Sequence, residues 1–440
     1  MLKFVRKAIV MTKVYVERLM ESVLRAKLNS CGCVLVTGPK FSGKSTMCLR
    51  YAKSVTELKT ENDIEVAKID PKSALKGKSP HLIDEWQKSP DIWNQIKKDL
   101  DDDYVFGKYI ITGSTTPLDP KKIQHSGAGR IASMVLRPFT LYESGESSGI
   151  VSLKDLLESD GANFAAAFEK ENPVGLDDIA FYICRGGWPI ALKAKKEYAV
   201  ESTRNYFEGL FRAEDENDDF GLFLKNKNID LLKLILKSYA RNISSQAKKT
   251  KMIADILASG IRSKLDEDTF SFYEKTLKDL FLIFDLPAWN LNLRSSAVVR
   301  SAPTHHFFDP SIAAASLGIS PNDLLNDMHS FGLFFEDLVI RDLSVYASTF
   351  GAAIKHYRDS SGQEIDAVVE SRNGEYGVIE IKLASEENIE EGAASLNRFE
   401  KKLRESELKL PKFKMIITSN GTCSKRKDDI YVVPLTCLKN

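Results

Sequence analysis

No apolar run in the chain approaches the ~18 residues that a membrane-spanning helix needs. The start is basic (Lys3, Arg6, Lys7), and its apolar stretch, residues 8–11, is shorter than the ~7–15 residues of a secretory h-region. Cysteine is scarce: six in 440 residues, at 31, 33, 48, 184, 423 and 437, with no C-x-x-C pair. That excludes a disulfide framework and fits a reducing compartment. The six histidines are scattered, and His305-His306 lacks the partner spacing of a zinc site, so metal ligation by Cys and His is not expected. An excess of charge is also missing, since 62 Lys+Arg face 61 Asp+Glu. Bulk charge therefore points to neither nucleic acid nor membrane, and any basic surface must be local. What remains is a globular, cytoplasmic chain, 43% hydrophobic and 28% charged, long enough for about three domains.

The organisation reads as an α/β chain in blocks. In residues 1–145, short apolar runs (34–36, 64–69, 82–83, 109–111) alternate with helical stretches, the pattern of a parallel sheet. Helical patterns fill 146–220 and end in an acidic run, 214–219, read as a solvated linker. Residues 221–310 predict three short helices, marked by Leu231 and Ile235, Ile253 and Ile256, and Phe270 and Leu277, then an extended region with Pro287, Arg294 and Arg300. That is the order of a winged helix, serving either DNA or packing. Residues 311–440 predict a helix at 333–348, strands at 354–357, 364–369 and 376–381, a helix around 389–403, and strands at 415–418 and 431–433. Asn373-Gly374 is a strong hairpin turn between the second and third of those strands.

Two constellations carry chemistry. The first is Gly38-Pro39-Lys40-Phe41-Ser42-Gly43-Lys44-Ser45-Thr46, which fits G-x-x-x-x-G-K-[ST] between a strand and a helix. Its glycines let backbone N–H groups face phosphate oxygens, and the helix start adds positive partial charge. Lys44 is placed to reach the β- and γ-phosphates and Ser45 to ligate Mg²⁺. Leu82-Ile83-Asp84-Glu85 then ends an apolar strand in two carboxylates, Asp84 for Mg²⁺ through water and Glu85 to polarise the attacking water. A third strand ends at Thr112-Gly113-Ser114, where Ser114 is the candidate γ-phosphate sensor, the alternative being an ordinary strand-end turn. Arg130, following Gly127-Ala128-Gly129, is a candidate cation for the transferring phosphoryl, in its own subunit or a neighbour's. The alternative is an ion pair with a local carboxylate.

The second constellation is Asp366 on one strand with Glu380 and Lys382 on the next. Strand side chains alternate, so Glu380 and Lys382 share a face, and a matching hairpin register sets Asp366 beside Glu380. Glu336 on the preceding helix supplies a third carboxylate. Hard oxygen ligands suit Mg²⁺ or Mn²⁺, with Lys382 positioning or deprotonating a water. This is the D…E-x-K arrangement of PD-(D/E)XK nucleases. The alternative is a nuclease-like fold that binds without cleaving.

With these residues in hand, the chain resembles a prokaryotic AAA-like P-loop ATPase family whose C-terminal half is a domain of unknown function, number 4143. The resemblance rests on residues 38–45, 82–87, 112–114 and 125–130, and on Arg137-Pro138-Phe139, Arg185-Gly186-Gly187-Trp188-Pro189, residues 285–289, Phe335-Glu336, 362–366 and 380–382. It implies an ATPase core with helical lid, a winged helix and a PD-(D/E)XK-like domain. The function expected is Mg²⁺-dependent ATP hydrolysis coupled to DNA binding and metal-dependent cleavage, in a homo-oligomer with no membrane. The alternative expectation is an ATP-switched regulatory or assembly protein whose C-terminal half holds a protein partner. A small-substrate kinase fits Asp84-Glu85 and the long C-terminal half poorly.

Overall fold

The computed structural model describes residues 15–114, 127–159, 173–211, 224, 227–260, 264–290 and 302–440. The basic start, His125-Ser126, the acidic run at 214–219, Arg294 and Arg300 lie outside them. The architecture is mixed α/β, and among the described residues no helix is long and apolar enough to cross a membrane.

The first block is a parallel sheet of β1 (Cys33–Thr37), β2 (Ser54–Glu57), β3 (His81–Asp84), β4 (Tyr109–Gly113) and β5 (Ile131–Val135), in the order β2-β3-β4-β1-β5. Every residue of β3 and β4 is buried, as interior strands covered on both faces must be. Helices α1 (Glu21–Leu28), α2 (Lys44–Leu49), α3 (Glu61–Ile69) and α4 (Asp91–Asp102) flank it. Helix α4 turns Ile92, Trp93, Ile96 and Leu100, one turn apart, into the core. The parallel register sets Thr37 opposite Gly113 and Asp84 opposite Thr112, so the chemistry-bearing strand ends share one edge.

The strand expected at 64–69 is instead α3. Thr60 accepts the Asp63 N–H and Asp63 accepts the Thr60 N–H, a capping box that starts a helix. The β-strand of this region is β2, whose half-exposed residues (one of them Val55) mark an edge strand. Cap chemistry at 60–63 outweighed a short alternation.

After β6 (Val151–Ser152) come α5 (Leu153–Glu158), α6 (Leu176–Arg185), α7 (Pro189–Lys193) and α8 (Lys196–Leu210). Then α9 (Ile229–Arg241), α10 (Lys249–Ala258), α11 (Glu267–Asp279) and the antiparallel pair β7 (Ile283–Leu286) and β8 (Thr304–Phe307) follow in the expected order. Short helices α12 (Pro310–Leu317) and α13 (Pro321–Asn326) lead to α14 (Met328–Thr349), which begins five residues earlier than expected because Asp327 caps it. The last sheet, β13-β14-β12-β11-β10-β9, uses β9 (Ala353–Arg358), β10 (Glu364–Glu370), β11 (Tyr376–Lys382), β12 (Lys414–Thr418), β13 (Ser424–Lys425) and β14 (Ile430–Pro434), with α15 (Glu386–Glu405) on it. Finally β15 (Leu438–Lys439) pairs with β6, tying the chain end to the segment after the first sheet.

Helix α14 is the axle. It is buried nearly all round, Asp337, Arg341 and Asp342 included. A buried charge is tolerable only when paired. Arg341 meets Asp309 at 3.0 Å and Asp342 at 2.7 Å, while Asp342 accepts the Leu141 N–H and Asp309 the Gly187 N–H, each at 2.9 Å. Burial still pushes the Asp342 carboxyl up to about 6, against the pull of Arg341. His306 and Asp337 make a second buried pair at 2.9 Å.

Candidate functional site

Residues 38–43 leave β1 and open α2. Gly38 has φ 143°, and a Cβ there would lie 2.2 Å from the Leu136 carbonyl oxygen, so only glycine lets the loop run this close to the sheet. Gly43, at φ 95°, caps α2. Lys44 is buried, its ammonium donating to the Gly38 and Pro39 carbonyls at 2.9 and 2.8 Å. The Ser45 hydroxyl donates to Asp84 Oδ1 at 2.7 Å, and Thr112 donates to the same oxygen. Loop and strand end thus converge as expected, and the hydroxyl–carboxylate pair matches the donor set Mg²⁺ prefers.

Glu85 turns into the left-handed region at φ 62°. One of its oxygens accepts from Ser114 Oγ at 3.2 Å and from Gln87 Nε2. Ser114 therefore bears on the glutamate expected to polarise water. Two supports escaped the sequence reading. Buried Arg18 donates to the Ser42 and Arg137 carbonyls at 2.8 Å each and to Glu143 at 3.0 Å, bracing the loop from below. Tyr206 on α8 donates to the Lys40 carbonyl at 2.8 Å while its ring meets Phe41 edge-on. Neither residue belongs to a sequence motif; both are joined to the loop by folding alone.

Arg130 is the correction in this site. The Cys33 N–H donates to its carbonyl at the start of β1, the end of the sheet away from residues 38–46. Its guanidinium pairs with Asp101 on α4. Action in its own subunit's phosphate site is overturned, because parallel pairing sends the beginnings of β1 and β5 to the far edge.

The C-terminal cluster forms through register. Ala367 faces Ile379 across the β10–β11 hairpin, which sets Asp366 opposite Glu380. Asp366 accepts the Ile381 N–H at 2.7 Å, Lys382 lies 3.3 Å from Glu380, and Ser395 on α15 donates to Glu380 at 2.8 Å. Helix α14 brings in Glu336. Burial, then the nearby Asp366, raises the Glu336 carboxyl well above its usual range, and Glu380 is raised for the same two reasons. Burial also raises Asp366, while Lys382 pulls the other way. For Lys382, burial works against the charge, but Asp366 and Glu380 outweigh it and raise its pKa. Among the described residues no three Asp, Glu, His or Cys side chains are arranged as a metal-ligand group, so the expected set Glu336, Asp366 and Glu380 gathers without forming a ligand shell. Glu336 and Asp366 border a cavity of about 250 Å³ whose other wall includes Ser244, Ser245, Gln246 and Thr304.

Parts of the chain match known protein families. Residues 31–145 match the AAA domain family, and residues 331–438 match a domain of unknown function, DUF4143. The chain thus carries an AAA domain of the P-loop ATPase type and a C-terminal DUF4143 domain. Between these parts of the ATPase, residues 176–323 match another domain of unknown function, DUF8612. Uncharacterized proteins of Mycobacterium bovis and Mycobacterium tuberculosis are each 24% identical over 370 residues, 83% of this chain and 74% of theirs. Among solved structures, a Walker-type ATPase of Pyrococcus abyssi is similar at TM-score 0.43 and 16% identity, covering 69% of this chain and 96% of its own. The Aeropyrum pernix ORC2 protein is similar at TM-score 0.27 and 10% identity, over 70% and 93%.

Proposed function

We propose that this ATPase uses Mg²⁺-dependent ATP hydrolysis to control a DNA-binding, DNA-cleaving C-terminal half. The observation that carries the nucleotide part is the 2.7 Å contact between Ser45 and Asp84, which joins the loop to the neighbouring strand end. With nucleotide bound, Lys44 leaves the Gly38 and Pro39 carbonyls for the phosphates. Ser45 and Asp84 would hold Mg²⁺, which supplies positive charge at the β- and γ-phosphates. Glu85, once released by Ser114 and Gln87, orients the attacking water. The convergence of Asp366, Glu380, Lys382 and Glu336 supports the second part, with Lys382 holding or deprotonating a water beside phosphate. Residues 221–310 would bind DNA as a winged helix. Arg130 keeps one role, at the site of a neighbouring copy in a homo-oligomer, and only after leaving Asp101.

One observation favours a second reading, an ATP-switched assembly or regulatory protein that holds a protein partner without cleaving. Ser244–Gln246 and Thr304 stand across a cavity of about 250 Å³ from Glu336 and Asp366, so residues of this same chain face the carboxylates. The test is a paired assay of ATP hydrolysis and plasmid nicking with Mg²⁺ or Mn²⁺, comparing the native chain with Lys44→Ala and Asp366→Ala. The cleaving reading expects nicking to vanish in Asp366→Ala while ATP hydrolysis survives. ATP hydrolysis with no nicking by the native chain sinks it and leaves the assembly reading.

A further inference from the structure

A cavity of about 520 Å³ lies away from both sites, between the edge strand β5, helix α1, the end of α14, and strands β7 and β9. Its apolar wall includes Val23, Met134, Val345 and Ile354. Its volume falls within the ~300–1,000 Å³ of small-molecule sites, which combine apolar walls with a few converging polar groups. The charged groups here are mostly cationic: Arg137, Lys27 and Arg372. The carboxylate on the wall, Asp285, is engaged elsewhere, by Lys278 at 2.5 Å and His305 at 2.9 Å.

Arg137 is the centre of the argument. Its guanidinium lies against the rings of Phe284 and Phe308, 4.1 and 4.3 Å from their centroids. Those faces hold it in place but accept no hydrogen bond in the guanidinium plane. Its Nη1 is buried without a hydrogen-bond partner. A buried donor left unsatisfied is costly, and an unpaired buried cation more so. Burial accordingly lowers the Arg137 pKa to about 10. Lys27 and Arg372 have no ion-pair partner among the described residues, and Asp337, whose charge favours the Arg137 cation, makes no hydrogen bond to it, its Oδ1 being taken by His306 and the Phe307 N–H. An oxyanion is the group that satisfies a planar fork of N–H donors.

We propose that this cavity binds a small organic anion, with an apolar body against Val23, Met134 and Ile354 and a carboxylate or phosphate head on Arg137. The site joins the ATPase sheet to the C-terminal half. The Arg137 carbonyl already takes an Arg18 N–H, and Arg18 holds the Ser42 carbonyl of the phosphate loop.

The experiment uses the full chain with three probes: 4-phenylbutyrate, phenyl phosphate and uncharged 4-phenylbutanol, followed by calorimetry and melting temperature. One anion or both should bind with Kd below about 1 mM, at least about tenfold tighter than the alcohol. Ala353→Phe, which fills the cavity from β9, and Arg137→Gln should each weaken anion binding at least about tenfold. Ala353→Phe should leave ATP hydrolysis unchanged. Lys44→Ala should leave probe binding intact, which separates this site from the phosphate loop. The proposal is overturned by no anion binding, by equal binding of the alcohol, by binding that Ala353→Phe does not touch, or by binding lost in Lys44→Ala. Should Arg137→Gln fail to melt cooperatively, Ala353→Phe decides.

Discussion

The phosphate loop and the C-terminal carboxylate cluster are built on opposite plans. In the loop, nine consecutive residues leave one strand, and the strand end beside it supplies the second half. Lys44 and Ser45 already have oxygen partners at 2.7–2.9 Å, and a nucleotide need only exchange those partners. In the cluster, three carboxylates and a lysine come from a helix and two strands spread over 47 positions, 336 to 382, and crowd like charges in a buried space. The loop stores little electrostatic strain, whereas the cluster stores much. A site that waits for an abundant ligand can be left satisfied. A site that holds several buried carboxylates together is costly until a cation or proton neutralises them.

The largest effect should come from Lys44→Ala. Removing the charge that meets the phosphates should lower kcat about 10³-fold while the melting temperature barely moves, since its folded-state partners are carbonyls of its own loop. A large loss of stability would break the contrast, making the lysine a structural strut. Next is Glu85→Gln, expected to cut kcat about 10²-fold with nucleotide affinity retained. Steady-state hydrolysis beside equilibrium binding of a labelled nucleotide separates the two effects.

In the cluster, Glu336→Gln should stabilise rather than destabilise. The charged groups around Glu336 are Asp337, Asp366, Glu380 and Lys382. Its folded pKa is raised above the unfolded value, so the folded chain binds the proton more tightly. The stability this contributes is full below the unfolded value near 4.5 and is lost as pH rises through the folded one. Glutamine removes that loss, so the melting temperature should rise by about 2–4 °C at pH 8 and by less at pH 5. A fall in melting temperature at pH 8 would mean that the cluster is already neutralised by its lysine. The smallest effect is expected for Ser114→Ala, which removes one hydrogen-bond donor to Glu85 while Gln87 keeps its own, and should change kcat by less than about tenfold.

Legibility followed the same division. Residues 38–46 and Asp84 could be read directly because their geometry is local: glycines where φ is positive, a strand before and a helix after. The pairing of Asp366 with Glu380 was readable only through the hairpin, since Asn373-Gly374 sets the turn and alternation does the rest. Arg18 and Tyr206, and Glu143 that pairs with Arg18, carried no signal, because they reach the loop or each other across a long sequence separation and each is one of many similar residues. Residues 64–69 misled because a six-residue alternation is compatible with a helix once Thr60 and Asp63 cap it. Arg130 misled because a glycine-rich segment says nothing of which end of a sheet it occupies.

By itself the sequence determined the nucleotide chemistry, since backbone curl and side-chain order in a phosphate loop are properties of adjacent residues. It also determined most element positions, through periodicity and turn residues. Only the tertiary structure decided that Arg130 lies at the far edge of the sheet, that Glu336 joins Asp366 and Glu380, and that Arg137 faces a cavity between two Phe rings. Those placements arise from parallel pairing and from helix α14, which packs against α1, α5, α6, α12, α13, β8 and β9–β11. They depend on contacts between residues tens to hundreds of positions apart, which no local pattern encodes.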